Sequence, residues 1–213
     1  MTMPLYREFE LGGASVAVWK ITEGCEELLS MVSPTDAAEA RLLCGEQRRK
    51  EWLAVRLLLA RLCGDAARIL YDGAGKPFLY ESCGYISISH TRGYALFAYS
   101  EKTPFGIDVE LVGRDAMAVS RRFVNDSFLP LLCGEDASAR ALAYWCSCEA
   151  LFKLVGNVGG TYKDNIFIKP FQLSSKGEIL LSVKGVAAEH EHDYRAEYDD
   201  DGVLFTLLVK EIS

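Results

Sequence analysis

The sequence has little of what several common enzyme classes need. Only three histidines occur, and two of them, His190 and His192, lie in an acidic stretch near the end. No G-x-S-x-G elbow accompanies Ser89-His90, so a Ser-His-Asp nucleophile has no support. The seven cysteines are odd in number and contain no C-x-x-C pair, which argues against a disulfide framework and a thiolate zinc site. They read instead as small hydrophobes in a reducing compartment. The breaker-rich stretch Asp72-Gly73-Ala74-Gly75-Lys76-Pro77 lacks the spacing and the final Lys-Ser/Thr of a P-loop. No apolar run is long enough to span a bilayer, since Arg56 and Arg61 interrupt Leu53 to Cys63. Residues 1–11 carry Arg7, Glu8 and Glu10 without an apolar core, unlike a signal peptide. The expectation is a cytoplasmic protein without membrane association.

Positive charge in excess is also missing. The net charge is −7, with 12 Lys+Arg against 13 Asp+Glu in residues 1–105 and 11 against 17 in the remainder. This balance disfavours nucleic acid as the main partner. It leaves room for a local basic patch that takes a small anion. A chain of 213 residues suffices for one large domain or two small ones.

What is present alternates between strand and helix signals. Residues 4–10 and 14–20 predict a hairpin around Gly12-Gly13. A helix follows over 23–31, then a turn and N-cap at Ser33-Pro34-Thr35-Asp36. A long helical region spans about 37–62 with a break near Cys44-Gly45, its apolar residues at helical spacing and Arg41, Arg48, Arg49, Lys50, Arg56 and Arg61 decorating it. These cations are either a solvated helix face or a phosphate-binding edge. Residues 85–90 and 94–99 predict a second hairpin. Residues 114–124 are helical or irregular, and a helix runs from Asp136 or Ser138 to about Val155. Strands are expected at 165–169, 171–173, 178–183, 194–198 and 203–210, with turns at Lys176-Gly177, Lys184-Gly185 and Asp199 to Gly202.

Two stretches carry chemistry. Gly106-Ile107-Asp108-Val109-Glu110 reads as a strand, so Ile107 and Val109 share a face turned to the core, and Asp108 and Glu110 share the other. Adjacent carboxylates on one face call for a cation or a proton between them. In Trp145-Cys146-Ser147-Cys148-Glu149-Ala150-Leu151-Phe152-Lys153, Glu149 and Lys153 are one helical turn apart. If the helix packs beside the strand, three carboxylates meet a lysine. Oxygen ligands alone suit Mg²⁺ next to a phosphate. Taken singly, Asp-x-Glu is more often a solvated face, Glu149 with Lys153 an ordinary helix pair, and Trp145 a core residue.

In order along the chain, Gly75-Lys76-Pro77, Ile88-Ser89-His90-Thr91, Gly106-Ile107-Asp108-Val109-Glu110 and Trp145-x-x-x-Glu149-x-x-x-Lys153 resemble the motifs of 4′-phosphopantetheinyl transferases of the surfactin-synthetase-activating type. The similarity covers roughly residues 48–156. It implies an α+β fold of two similar subdomains with pseudo-twofold symmetry, 1–105 and 106–213, with the active site between them and a monomer sufficient. It implies Mg²⁺-dependent transfer of phosphopantetheine from coenzyme A to a serine of an apo acyl or peptidyl carrier protein, releasing 3′,5′-ADP. On this resemblance Asp108, Glu110 and Glu149 hold Mg²⁺, Glu149 also takes the serine proton, and Lys153 stabilises the pyrophosphate. Lys76, Ser89 and His90 contact the coenzyme's phosphates, and Arg48, Arg49 or Arg56 takes the 3′-phosphate. Arg121, Arg122 and Phe123 are candidates for the carrier's landing strip.

Two positions depart from the pattern. Thr91 replaces a serine and keeps the hydroxyl. Cys148 stands where such enzymes often carry a lysine, which implies a lost phosphate contact and a tighter grip on coenzyme A if the lysine is restored. Two other readings stay open: a degenerate relative that binds coenzyme A or a carrier without catalysis, and a different Mg²⁺-dependent phosphotransfer enzyme.

Overall fold

Gly12 and Gly13, with φ of 59° and 85°, form the tight turn that joins β1 (Leu5–Leu11) to β2 (Ala14–Lys20) as an antiparallel hairpin. The computed structural model describes residues 5–157, 160–184 and 191–212, with backbone only at 191 and 192. After α1 (Cys25–Met31), Ser33 Oγ accepts the backbone N–H of Asp36 and Pro34 opens α2 (Pro34–Leu42). The expected break falls at residues 43–45, and Gly45, at φ 85°, begins α3 (Glu46–Cys63). The short strands β3 (Ile69–Tyr71) and β4 (Pro77–Leu79) pair around the Asp72–Lys76 turn. Sequence periodicity misses this pair, because three residues hold too little alternation to register. Next come β5 (Tyr85–Thr91), β6 (Tyr94–Ser100) and β7 (Gly106–Leu111). Two 3₁₀ turns, Met117–Arg122 and Leu129–Leu131, precede α4 (Ala137–Val155) and α5 (Tyr162–Asn165). The chain closes with β8 (Ile166–Ile168), β9 (Lys176–Lys184), β10 (Glu191–Asp200) and β11 (Leu204–Glu211).

The fold is mixed α+β, and the chain divides into two compact units, 1–102 and 103–213. In the first, an antiparallel sheet of order β1-β2-β6-β5 packs against α3 through Ala17, Trp19, Ile86, Ala95 and Phe97. Leu53, Leu58 and Leu59 of α3 complete that core, with Leu28 and Leu29 of α1 behind. In the second, the sheet β7-β11-β10-β9-β8 packs against α4 through Leu207, Val209, Ala196 and Leu181. Tyr144, fully buried, donates its hydroxyl to Ile166 O and accepts Asn125 N–H, tying α4 to the start of β8 and to the loop at Asn125.

Several expectations for the C-terminal part are corrected. Residues 171–173 form no strand, and Phe171 stacks on Phe128 instead. Lys176-Gly177 lies inside β9: Gly177 faces Tyr198, and a Cβ there would sit 2.5 Å from the phenol oxygen, so its glycine serves close packing rather than a turn. Asp199 belongs to β10 and is buried against Lys176 Nζ at 2.9 Å, leaving the turn to residues 201–203. Gly185 and His190 lie outside the described residues, as does the side chain of His192.

Candidate functional site

The second unit builds the acidic part of the site from β7 and α4. Gly106, Asp108 and Glu110 share one strand face by alternation. A Cβ on Gly106 would fall 1.9 Å from Ala150 O and 2.8 Å from Leu154 N, so this face lies directly against α4. The sequence placed the core on the side of Ile107 and Val109. Both are fully buried, but the face that meets α4 and its apolar cluster is the one carrying the carboxylates. Asp108 and Glu110 are 6% and 5% exposed, so neither is a solvated-face residue. A Gly106→Ala variant should force α4 off β7 and cost about 3 kcal/mol, the upper end for overpacking, because the atoms met are backbone. Urea unfolding checks this, and an unchanged midpoint would contradict the close approach.

Each carboxylate has a partner within the unit. Lys153 Nζ donates to Asp108 Oδ1 at 2.8 Å and to Ile107 O at 2.9 Å, bridging α4 to β7. Glu110 pairs with Arg114, and the Arg114 guanidinium lies 5.9 Å over the Trp145 ring. Glu149 accepts the Tyr162 hydroxyl at 3.2 Å. Burial, followed by the nearby charge of Asp108, holds the Glu149 carboxyl above the usual range, with Lys153, Tyr162 and Arg114 pulling the other way. Burial pushes the Tyr162 phenol up as well, reinforced by Glu149. Trp145 is half-buried between Phe123 and Tyr162, edge-on to each. The sequence reading missed Arg114 and Tyr162. Glu110 and Arg114 are four apart, but across a strand and turn where no helical rule applies, and Tyr162 enters from a one-turn helix.

Cys148 is not where the departure from the motif suggested. It is fully buried in the apolar cluster under α4, and burial raises its thiol well above the ordinary value. Cys146, equally buried, has its thiol raised by burial and then by the Asp108 carboxylate to which it hydrogen-bonds. Phe123 is likewise core, 3% exposed, so it offers no landing surface, whereas Arg121 and Arg122 are exposed.

The first unit sorts its basic candidates into different roles. Arg49 donates to Ala40 O and Leu43 O, both at 3.1 Å, closing the end of α2. Arg56 is 7% exposed, stacked 3.8 Å over Trp52 and paired with Asp36 at 3.6 Å, and its Nη1 is buried with no hydrogen-bond partner. Arg48 is exposed, and its Nη1 lies 3.5 Å from His90 Nε2. His90 is on the α3 side of β5, whereas Ser89 is buried on the opposite face, so the structure does not bring these neighbours together. Lys76 is exposed in the β3–β4 turn, its backbone N–H held by Asp72 Oδ1 at 2.8 Å.

No protein-family model and no curated protein matches the chain.

The donor set of Asp108, Glu110 and Glu149 is all oxygen and so fits a hard divalent cation by type. Among the described residues, however, no three Asp, Glu, His or Cys side chains are gathered to hold a metal. The carboxylates point to Lys153, Arg114 and Tyr162 instead, and an incoming cation would have to draw them away from these partners.

Proposed function

We propose that the protein transfers 4′-phosphopantetheine from coenzyme A to a serine of an apo acyl or peptidyl carrier protein. The observation that carries this reading is that Asp108, Lys153 and Glu149 on β7 and α4 lie close enough to interact electrostatically, with Glu110 and Arg114 alongside. Such transfers need charge compensation and an aligned nucleophile more than covalent help. In the step, the serine oxygen bonds to the phosphorus that bears pantetheine. The bond from that phosphorus to the oxygen of the departing 3′,5′-ADP breaks, and Glu149 takes the serine proton. A carboxylate held above its usual range binds that proton more strongly than an exposed one, the direction a general base needs. Lys153 keeps Asp108 in place and adds positive charge beside it. Mg²⁺, when held by Asp108, Glu110 and Glu149, would neutralise charge on the pyrophosphate. Arg48 and His90 are the first unit's candidates for the coenzyme's phosphates.

The test is incubation with coenzyme A, Mg²⁺ and a panel of apo carrier proteins, read by intact-protein mass. A carrier that gains one phosphopantetheine group supports the reading. The ungathered carboxylates favour one rival, a relative that binds coenzyme A without turning it over. Coenzyme A binding with no mass gain on any carrier would select that rival.

A further inference from the structure

His90 sits between two groups of opposite character on α3. Its Nδ1 lies 3.5 Å from Glu51 Oε2, and its Nε2 lies 3.5 Å from Arg48 Nη1. Glu51 is well covered, its side chain 13% exposed, and its other oxygen accepts Gln47 Nε2 at 2.7 Å, so the carboxylate is aimed from both ends. A guanidinium only donates and does not lose its proton. A lone pair on the nitrogen facing Arg48 suits that donor, and a hydrogen on the nitrogen facing Glu51 suits the carboxylate. Both contacts are met at once by one neutral tautomer, Nδ1–H. Trp52, Arg56 and Tyr71 line the same cavity of about 40 Å³, so the charged and titratable side chains that line it with His90 are Arg48, Glu51, Arg56 and Tyr71.

We propose that Glu51 is a positioning residue that fixes His90 as this tautomer and lets it take up a second proton when a phosphate group binds. The inference rests on the reading that Arg48 and His90 receive a phosphate of coenzyme A. A phosphate oxygen that engages Arg48 draws the guanidinium from Nε2. The freed lone pair then takes a proton from solvent and donates it to the phosphate, while the Glu51 carboxylate balances the imidazolium on the far side. The two partners of His90 thus act in turn. Arg48 keeps the ring neutral before binding, and Glu51 makes the charged ring acceptable afterwards.

Two measurements on the full chain test this. Nitrogen-15 spectra of the ligand-free protein should show His90 protonated at Nδ1 and bare at Nε2, and the reverse tautomer overturns the proposal. Calorimetric titration of coenzyme A and of 3′,5′-ADP at about pH 7.5, in buffers of different protonation enthalpy, should report uptake of roughly half to one proton. Glu51→Gln keeps the shape and removes the charge, and should cut this uptake at least about twofold, with coenzyme A affinity falling about tenfold. Binding by the wild type without proton uptake, or unchanged uptake by Glu51→Gln, overturns the inference and leaves the coenzyme reading standing. No binding of either nucleotide by the wild type overturns both.

Discussion

Cys148→Lys should unfold at markedly lower urea than the wild type, with a loss of about 4 kcal/mol, the cost of an uncompensated buried charge. With a slope of about 2 kcal/mol per molar, that moves the midpoint down by roughly 2 M. The lysine would enter the apolar cluster beneath α4, where Cys148 has no exposed surface. The nearest charge is the adjacent Glu149, whose own carboxyl burial already disfavours as an anion. Cys148→Ala, which removes volume without adding charge, should cost only about 1 kcal/mol. The outcome decides between two views of this position. On the motif alone a lysine here restores a phosphate contact and tightens coenzyme A binding. On the packing it dismantles the helix that carries Glu149 and Lys153. Wild-type stability with tighter coenzyme binding would overturn the packing view.

Glu149→Gln should lower carrier modification by about three orders of magnitude, within the range for loss of a positioned general base. Stability should not follow activity. The folded-state pKa of Glu149 lies above the ordinary value of 4.5, so this group contributes stability that is complete below the unfolded-state pKa and is lost as pH rises through the folded-state pKa. Near neutrality the charged carboxylate therefore burdens the folded state, and a neutral amide removes that burden while still accepting the Tyr162 hydroxyl. The variant should be at least as stable as the wild type at pH 7, with the difference shrinking as pH falls towards 4.5. Paired urea titrations at the two pH values, beside the mass assay, separate the two effects. Transfer at the wild-type rate would remove Glu149 from the reaction, and a large loss of stability at pH 7 would contradict its electrostatic setting.

The legible parts of this protein are those that depend on one periodicity at a time. Apolar spacing reveals the long helices, and alternation with the helical turn frames the strand–helix meeting of Asp108 with Lys153. Cys148 is not legible in the same way. A motif says which residues are close in sequence to Glu149, but which flank of α4 faces the sheet follows from the whole apolar stripe. Arg49 resembles a ligand in the sequence because a cation on a helix edge has many uses, and only the path of α2 supplies the carbonyls it closes. Ser89 and His90 sit together in a motif, although strand alternation alone parts them. Three-residue strands and a one-turn helix leave no pattern, so the hairpin at 69–79 and the entry of Tyr162 escape a sequence reading. The burial of Asp108 and Glu110 also escapes it. Putting acids under a helix is tolerable only because Lys153 and Arg114 arrive from elsewhere in the chain.

The cysteines divide by accessibility: Cys44, Cys83 and Cys133 are exposed, Cys25 and Cys63 are partly covered, and Cys146 and Cys148 are sealed on the inner side of α4 with their thiols held protonated. A thiol-alkylating reagent therefore reads two separate processes in one sample. Rapid modification at the exposed three leaves the acidic site untouched, and slow modification at the sealed pair counts the moments when α4 lifts from its sheet. The cysteine lying where the motif often has a lysine thus becomes a built-in recorder of how often the proposed catalytic helix leaves its seat.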